Sequence, residues 1–530
     1  MNALASEETV IGNFSAGQQI RYQDTLAHFV REDGHFRMKI ERHGKRHTYE
    51  VAETIGSRFF QYYVGHGIDG SPPDEHDIEY YTSNHVLPFG YWIDRQIWVP
   101  IVHISGEEPD EFGRFNPLDK PAGTGNARQD LVYSKGCNLC HTTFPLADMM
   151  IRDTNLVGRF APARLHFSMS EYLSESHPTL WDNSVSPLAA SLQDVNTIMY
   201  EMLSYDASEK AVTLGISCEA CHLGCRAHAE KQQKKPSFFP HDRHLYVSED
   251  SGSTDTGRTH SNLNWVCSRC HHGERPRFAN GISTWNSTEF VDASRGSCYS
   301  EMTCIQCHDP HTTIGKKWSR SPDQDDGVCL KCHQQFENSD TRIRHTHHPA
   351  GTEGDRCMNC HMPRINEGMQ DVVRTHTIFS PTDPTMILSG SPNACGLCHL
   401  EEPIDWTLSH MQNWYGVSFD EGQIAQAYPQ REEPIAYVWL NHPHESVRLV
   451  TSDTIGQRNA RWALPELVNQ LDDPYLLNRQ FAMIAVEELL DRPLLDFGYR
   501  FYMAKAERSQ PLQLIRESVL RSSDRSRAPE

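Results

Sequence analysis

One pentapeptide, repeated seven times, constrains this chain more than any other feature. Cys-x-x-Cys-His occurs at Cys137, Cys140 and His141; at Cys218, Cys221 and His222; at Cys267, Cys270 and His271; at Cys304, Cys307 and His308; at Cys329, Cys332 and His333; at Cys357, Cys360 and His361; and at Cys395, Cys398 and His399. They are numbered motifs 1 to 7 below. With 16 Cys and 30 His in 530 residues, chance alone supplies roughly 0.03 copies. Fourteen of the 16 Cys belong to these motifs, leaving Cys225 and Cys298. A disulfide scaffold is thereby excluded as the main reading, as is an ordinary cytosolic enzyme with a few scattered thiols.

Two thiols on one helical turn can both bond one edge of a haem, and the adjacent His then reaches the iron from the same side. The motifs therefore predict seven covalently attached haem c groups. Their proximal iron ligands are His141, His222, His271, His308, His333, His361 and His399. Structural zinc also uses Cys-x-x-Cys, but it needs four protein ligands from paired motifs. An odd number of copies, each followed at once by His, fits zinc poorly.

The other 23 His supply candidates for sixth ligands. His228, His311, His345, His348 and His376 are the best placed, with His347 and His410 beside them and His241, His244, His260 and His272 as looser candidates. Two imidazoles on one iron suit electron transfer, and an exchangeable sixth position suits catalysis. Cys225 and Cys298 read either as a mutual disulfide or as two separate thiols.

From Cys137 to His399 the motifs span 263 residues, about one for every 38 residues. With so little chain per haem, short helices and long loops are expected there. The expected fold class is α+β in three parts. Residues 1–125 form a β-rich N-terminal domain: the stretches 29–31, 36–42, 48–53, 59–64 and 86–102 are strand-like, and Asp33-Gly34 and His43-Gly44 supply turns. Residues 106–128 read as a linker. Residues 126–415 form the multihaem domain, with a helical candidate at 191–205. In residues 416–530, Leu440-Asn-His-Pro443 with Arg448 recurs as Leu471-Asp-Asp-Pro474 with Arg479. This predicts α-helical HEAT-like repeats.

The net charge of -21 argues against nucleic acid, because phosphate binding needs clustered Lys and Arg. No apolar run reaches the roughly 18 residues that a membrane helix requires. The expected partners are redox proteins, docked by the C-terminal repeats.

The motifs and their flanks resemble a family of multihaem c-type cytochromes. The resemblance is carried by Ile216-Ser-Cys-Glu-Ala-Cys-His222, Met302-Thr-Cys-Ile-Gln-Cys-His-Asp-Pro-His311, His348-Pro-Ala-Gly-Thr-Glu-Gly-Asp-Arg-Cys-Met-Asn-Cys-His-Met-Pro363 and Pro392-Asn-Ala-Cys-Gly-Leu-Cys-His399. In that family a haem module related to the tetrahaem cytochrome partner of hydroxylamine oxidoreductase, and more distantly to pentahaem nitrite reductase, precedes tetratricopeptide or HEAT repeats. Thr9-Val-Ile-Gly-Asn-Phe14 fits it too, where this segment follows a signal peptide and an earlier motif. The resemblance implies such features upstream of Met1, an eighth haem in the natural protein, and a periplasmic or extracellular location. It implies a class and not a substrate.

Three functions follow, in order of preference. The first is an electron-transfer cytochrome with closely packed, mostly bis-His haems. The second is an oxidoreductase acting on a small nitrogen or sulfur oxyanion at one open haem; the Lys-for-His motif of pentahaem nitrite reductases is absent, which weighs against it. The third is a subunit of an extracellular cytochrome assembly or filament.

Overall fold

A computed structural model describes residues 2–70, 79–101, 133, 138–141, 150–152, 163–165, 170, 173–175, 177–182, 184–186, 189–191, 193–195, 197–198, 214–222, 225–236, 258–272, 276–313 and 318–525. Cys137, His241, His244 and the 106–128 linker lie outside them. Of the 191–205 candidate, 193–195 and 197–198 are helical, with Val195 and Ile198 buried; 199–205 lie outside the described residues.

The chain divides into two compact units. The first combines Met1–Ile101, Asn116–Glu274 and Ser300–Lys317, and contains motifs 1 to 4. The second combines Val102–Phe115, Arg275–Tyr299 and Trp318–Glu530, and contains motifs 5 to 7.

The first unit opens with an antiparallel sheet. Its strands are β1 (Asn2–Leu4), β2 (Gln18–Tyr22), β3 (Thr25–Glu32), β4 (His35–Arg42), β5 (Lys45–Ile55), β6 (Phe60–Gly70), β7 (His85–Val86), β8 (Phe89–Trp92) and β9 (Ile97–Pro100). The order is β2-β3-β4-β5-β6-β8-β9, with β1 paired to β5 and β7 to β6. The strands obey the period of two. Thr25, Ala27 and Phe29 face inward on β3, and Phe36, Met38 and Ile40 do so on β4. Two-residue turns join β3 to β4 through Asp33 (φ 53) and Gly34 (φ 84), and β4 to β5 through His43 (φ 50) and Gly44 (φ 73). Positive φ at both central residues matches the twist of the flanking strands, which is why these dipeptides sit there.

Phe14 organises the core of this sheet. Its ring meets Phe36, Trp98, Tyr63 and Phe29 edge-on at 5.2, 5.0, 5.5 and 6.0 Å between centroids. Phe29 and Trp98 stack at 3.5 Å. Gly12 lets the segment approach: its N–H donates to the Tyr63 hydroxyl at 3.0 Å, and a Cβ there would lie 2.1 Å from that oxygen. Phe14→Ala should therefore cost about 3–5 kcal/mol. Denaturant unfolding followed by tryptophan fluorescence checks this; a change below 1 kcal/mol would contradict the assigned role.

In the second unit the C-terminal region is helical. The helices Glu445–Gln457 and Leu476–Leu490 pack together, and Lys505–Arg525 follows. The two copies of the sequence pattern make matching contacts. Arg448 donates to the carbonyls of His442 and Pro443 at 2.7 and 3.0 Å, and Arg479 donates to those of Asp473 and Pro474 at 2.6 and 3.2 Å. Each arginine thus closes the turn before its own helix. The carbonyls of Leu440 and Leu471 are likewise both capped, by Gln470 at 2.8 Å and Tyr499 at 2.7 Å.

Candidate haem-binding sites

Each fully described motif is one helical turn. In motifs 2, 3, 4, 5 and 7 the His N–H donates to the carbonyl of the first Cys at 2.8, 3.0, 3.0, 3.0 and 2.9 Å. The second Cys N–H reaches the same carbonyl at 3.0–3.3 Å. Motif 6 is the helix Cys357–His361, and Asn138–His141 of motif 1 is helical as well. This turn brings the two cysteines and the histidine of each motif onto one short stretch of backbone.

Local sequence sets these turns up. Motif 5 ends the helix Pro322–Leu330, whose start carries Ser321 and Gln324 in a capping box and Pro322 in the first turn. Motif 3 ends the helix His260–Ser268, capped by the Thr259 hydroxyl. The Cys357 N–H of motif 6 donates to Asp326 at 3.1 Å. At the far end of that turn, Arg374 donates to the carbonyls of Met358 and Met362 at 2.8 and 3.0 Å. Burial lowers the Arg374 pKa to about 10.

Among the described residues, three motif histidines face a second histidine ring. His222 and His311 lie 6.2 Å apart between centroids with planes 6° apart. His361 and His345 lie 6.1 Å apart at 4°, and His399 and His348 lie 6.1 Å apart at 33°. These separations are too long for ring stacking in contact. A metal held between two imidazoles by bonds of about 2.0–2.1 Å would set the centroids about 6.3 Å apart. The pairs therefore have the spacing of two axial ligands on one iron. Among the described residues, no group of three or more His, Cys, Asp or Glu side chains is arranged to hold a metal ion; the imidazoles meet in twos.

In two of these pairs the ring orientation is fixed by a backbone carbonyl. His361 Nδ1 lies 2.8 Å from the Phe379 oxygen, and His348 Nδ1 lies 2.6 Å from the Thr346 oxygen. An Nδ1–H donated in this way leaves the Nε2 lone pair for a metal. Burial lowers the pKa of His345, with His361 adding to the shift, and it lowers that of His399 against the opposing charge of Glu401.

His345 and His348 come from one strap. The helix Ser339–Thr346 begins at Asn338, whose side chain accepts from Thr341 N–H at 3.0 Å. It stops at His347, which is left-handed (φ 57) and donates its N–H to Ile343 at 2.7 Å. That reversal sends His345 toward His361 and His348 toward His399. His347 itself stacks on Trp414 at 4.5 Å. His347→Gly should leave stability nearly unchanged, whereas His347→Ile should cost about 1–2 kcal/mol, because a β-branched residue is strained at positive φ. Thermal unfolding of the two variants compares them directly.

The other candidates fall differently. His228 is exposed, with Nδ1 3.2 Å from the Gln233 carbonyl, and no motif histidine faces it among the described residues. His376 lies near the buried Asp292 carboxylate. His260 Nε2 is held by the Met302 carbonyl at 3.0 Å, next to motif 4. His272 is tied to the Ser268 carbonyl. His410 lies between Trp406 and Trp414, at 4.2 and 4.3 Å. Cys225 and Cys298 each stand as a free thiol among the described residues. Cys225 is buried and donates to the His222 carbonyl at 3.2 Å. Burial pushes the Cys298 thiol up, helped by nearby Cys329 and Cys332.

Motifs also touch one another. In the first unit the Cys267 thiol meets that of Cys304, with Cys221 close by, and Cys270 meets Cys140. In the second, Cys329 meets Cys357, and Cys360 is near Cys395 and Cys398. Asp326 ties the second group together. Its carboxylate accepts from Arg342 on the strap helix, from Arg356 at 3.1 Å, and from the Cys357 N–H. No sequence pattern marked Asp326, because its three partners converge only in the fold.

Among the described residues no helix is long and apolar enough to cross a membrane. Comparison with protein families, curated proteins and solved structures finds no match for this chain, so what it is must be argued from its own residues.

Proposed function

We propose that this chain is a multihaem c-type cytochrome that carries electrons between redox partners in the periplasm or at the cell surface. The observation that carries the reading is the spacing of the three histidine pairs, 6.1–6.2 Å, each beginning at a motif histidine. Two imidazoles per site suit an iron whose other four ligands come from a macrocycle, whereas structural zinc needs four protein ligands and catalytic zinc three. When bound, haem c supplies a one-electron carrier attached through thioethers. The chain's part is to fix the imidazoles, set their protonation, and hold neighbouring attachment cysteines in contact.

The contacts between motifs support a relay. Motif 3 touches motifs 1 and 4 and lies near motif 2 within the first unit, and motif 6 touches motif 5 and lies near motif 7 within the second. Closely set attachment points keep successive carriers near one another. Paired imidazoles favour conduction over substrate turnover at those sites.

The C-terminal helices read as HEAT-like repeats on the strength of the matched Arg448 and Arg479 contacts. They would offer a docking surface to a redox partner. The family suggested by the motif flanks agrees with this reading. Intact-mass measurement of protein made with a haem-attachment system tests it: the expected excess is seven haems, on peptides containing the seven Cys pairs. Protein that matures without covalent haem would overturn it.

A further inference from the structure

The C-terminal helices reach back into motif 7. Trp439 lies over Gly396, inside the motif, where a Cβ would stand 2.5 Å from the indole. The helix Glu445–Gln457 then ends at Arg458, whose backbone N–H donates to the Thr454 carbonyl at 2.9 Å. Its guanidinium donates to the Cys398 sulfur at 2.9 Å. Arg458 is exposed, and among the described residues this sulfur is the one partner of its side chain.

A second cation stands by the same pair of motifs. Arg374, at the end of the strand Val372–Arg374, donates to the carbonyls of Met358 and Met362 and, at 2.6 Å, to the Asn359 side-chain oxygen. All three acceptors are neutral. Burial brings its pKa down only to about 10, so it is charged at neutral pH. Its field reaches both Cys360 and Cys398, where motifs 6 and 7 approach each other.

The charges around motif 5 are arranged differently, in ion pairs. Asp325 lies 3.1 Å from Arg320, and Asp326 is shared by Arg342 and Arg356. Among the described residues, neither Arg374 nor Arg458 has a carboxylate at ion-pair distance. Carboxylates act on this region only from further away: Asp325, Glu353 and Asp326 on Arg374, and Glu401 and Glu402 on His399.

Reducing a haem takes one electron from a redox partner, turns ferric iron into ferrous iron, and breaks no bond. The site loses one unit of positive charge. A fixed cation nearby therefore favours the reduced form, and it does so most where no counter-ion cancels its field. Resting on the haem reading above, we infer that Arg374 and Arg458 raise the reduction potentials of the haems attached at motifs 6 and 7, and so hold electrons at that junction.

The test uses the full haem-loaded protein, reduced stepwise with dithionite and followed by its haem absorbance. Covalent mass is measured first: protein without haem fails the haem reading itself, whereas loaded protein tests this inference alone. Arg458→Gln should lower the equilibrium constant for reducing one haem about tenfold, or about 59 mV for one electron. Arg458→Lys keeps the charge and should keep most of the potential. Arg374→Gln should lower a second haem by at least as much; should it fail to fold, the exposed Arg458 decides alone. Arg492→Gln removes an arginine already paired with Asp496 at 3.0 Å and should leave every potential unchanged. An Arg458→Gln protein that titrates like wild type overturns the inference. So does an equal shift in Arg458→Lys or in Arg492→Gln, because the lost contact or the net charge is then responsible and not the placed cation.

Discussion

Replacing His345 with alanine is expected to turn one low-spin haem into a high-spin haem while the covalent haem count stays at seven. His311→Ala and His348→Ala should each do the same to a different haem. The effect is large because a histidine pair leaves no third protein ligand to step in. The rings opposite these three residues are His361, His222 and His399, at 6.1, 6.2 and 6.1 Å. On the proposed reading the three changes should add in a triple variant, since each would remove one imidazole from a different site. His228→Ala should leave the spin state unchanged, because its imidazole is held outward at the Gln233 carbonyl. Electron paramagnetic resonance of the oxidised variants reads all of this. A His345→Ala protein with no added high-spin signal would show that the His345–His361 pair does not bracket an iron.

The second large effect concerns stability. Asp326 is buried, and its carboxylate accepts hydrogen bonds from Arg342, Arg356 and the Cys357 N–H. Arg342 also donates to the Asp355 carbonyl, at 3.1 and 2.7 Å from two of its nitrogens. One carboxylate thus joins the helix before motif 5, the strap carrying His345, and the first residue of motif 6. Asp326→Ala would remove a buried carboxylate shared by two guanidinium groups, which keep Asp355 (3.0 Å from Arg342) and Asp323 (2.6 Å from Arg356), so the loss of its charged hydrogen bonds should cost about 1.5–3 kcal/mol. The pH dependence has a definite sign. Burial alone would raise the Asp326 pKa, but hydrogen bonds from Arg342, Arg356 and the Cys357 N–H outweigh it and the pKa is lowered. The contribution is therefore present above the unfolded value of about 3.9, and it is lost as pH falls through the lower folded value. Wild type and Asp326→Ala should differ most near neutrality and converge in strong acid. Unfolding curves that coincide at pH 7 would contradict the role given to this residue.

Much of the fold could be read from short-range pattern. Alternation predicted the strands, and Asp33-Gly34 and His43-Gly44 gave their turns, because both signals are local. The 86–102 stretch read as one strand-like region but divides into β7, β8 and β9 around turns. The expected three-part division meets a structure with two compact units, and the Cys-rich stretch contributes to both. Cysteine spacing cannot mark that boundary, since the same pentapeptide serves on either side of it.

The sites were legible in the same graded way. A Cys-x-x-Cys-His turn is encoded within five residues, so its geometry follows from sequence. A facing histidine is encoded by the whole fold. His311, His345 and His348 stood in the right pool, but so did His228, which points elsewhere. What sorts the cluster at 345–348 is the left-handed His347, a single backbone angle that no periodicity reveals. Phe14 and Gly12 belong to the same class: a recognisable segment whose purpose appears only when Trp98 and Tyr63 arrive from distant strands.

If the proposed reading holds, the chain carries covalently attached haems, and at least three of them are held between two imidazoles. Near-infrared magnetic circular dichroism of the oxidised, fully loaded protein tests it most directly, because the band position reports the axial ligands and the intensity counts them. The expected result is a bis-histidine signal of at least three haems, with losses of one haem's intensity each in His311→Ala, His345→Ala and His348→Ala. A spectrum without a bis-histidine component, or one unchanged in all three variants, would contradict it.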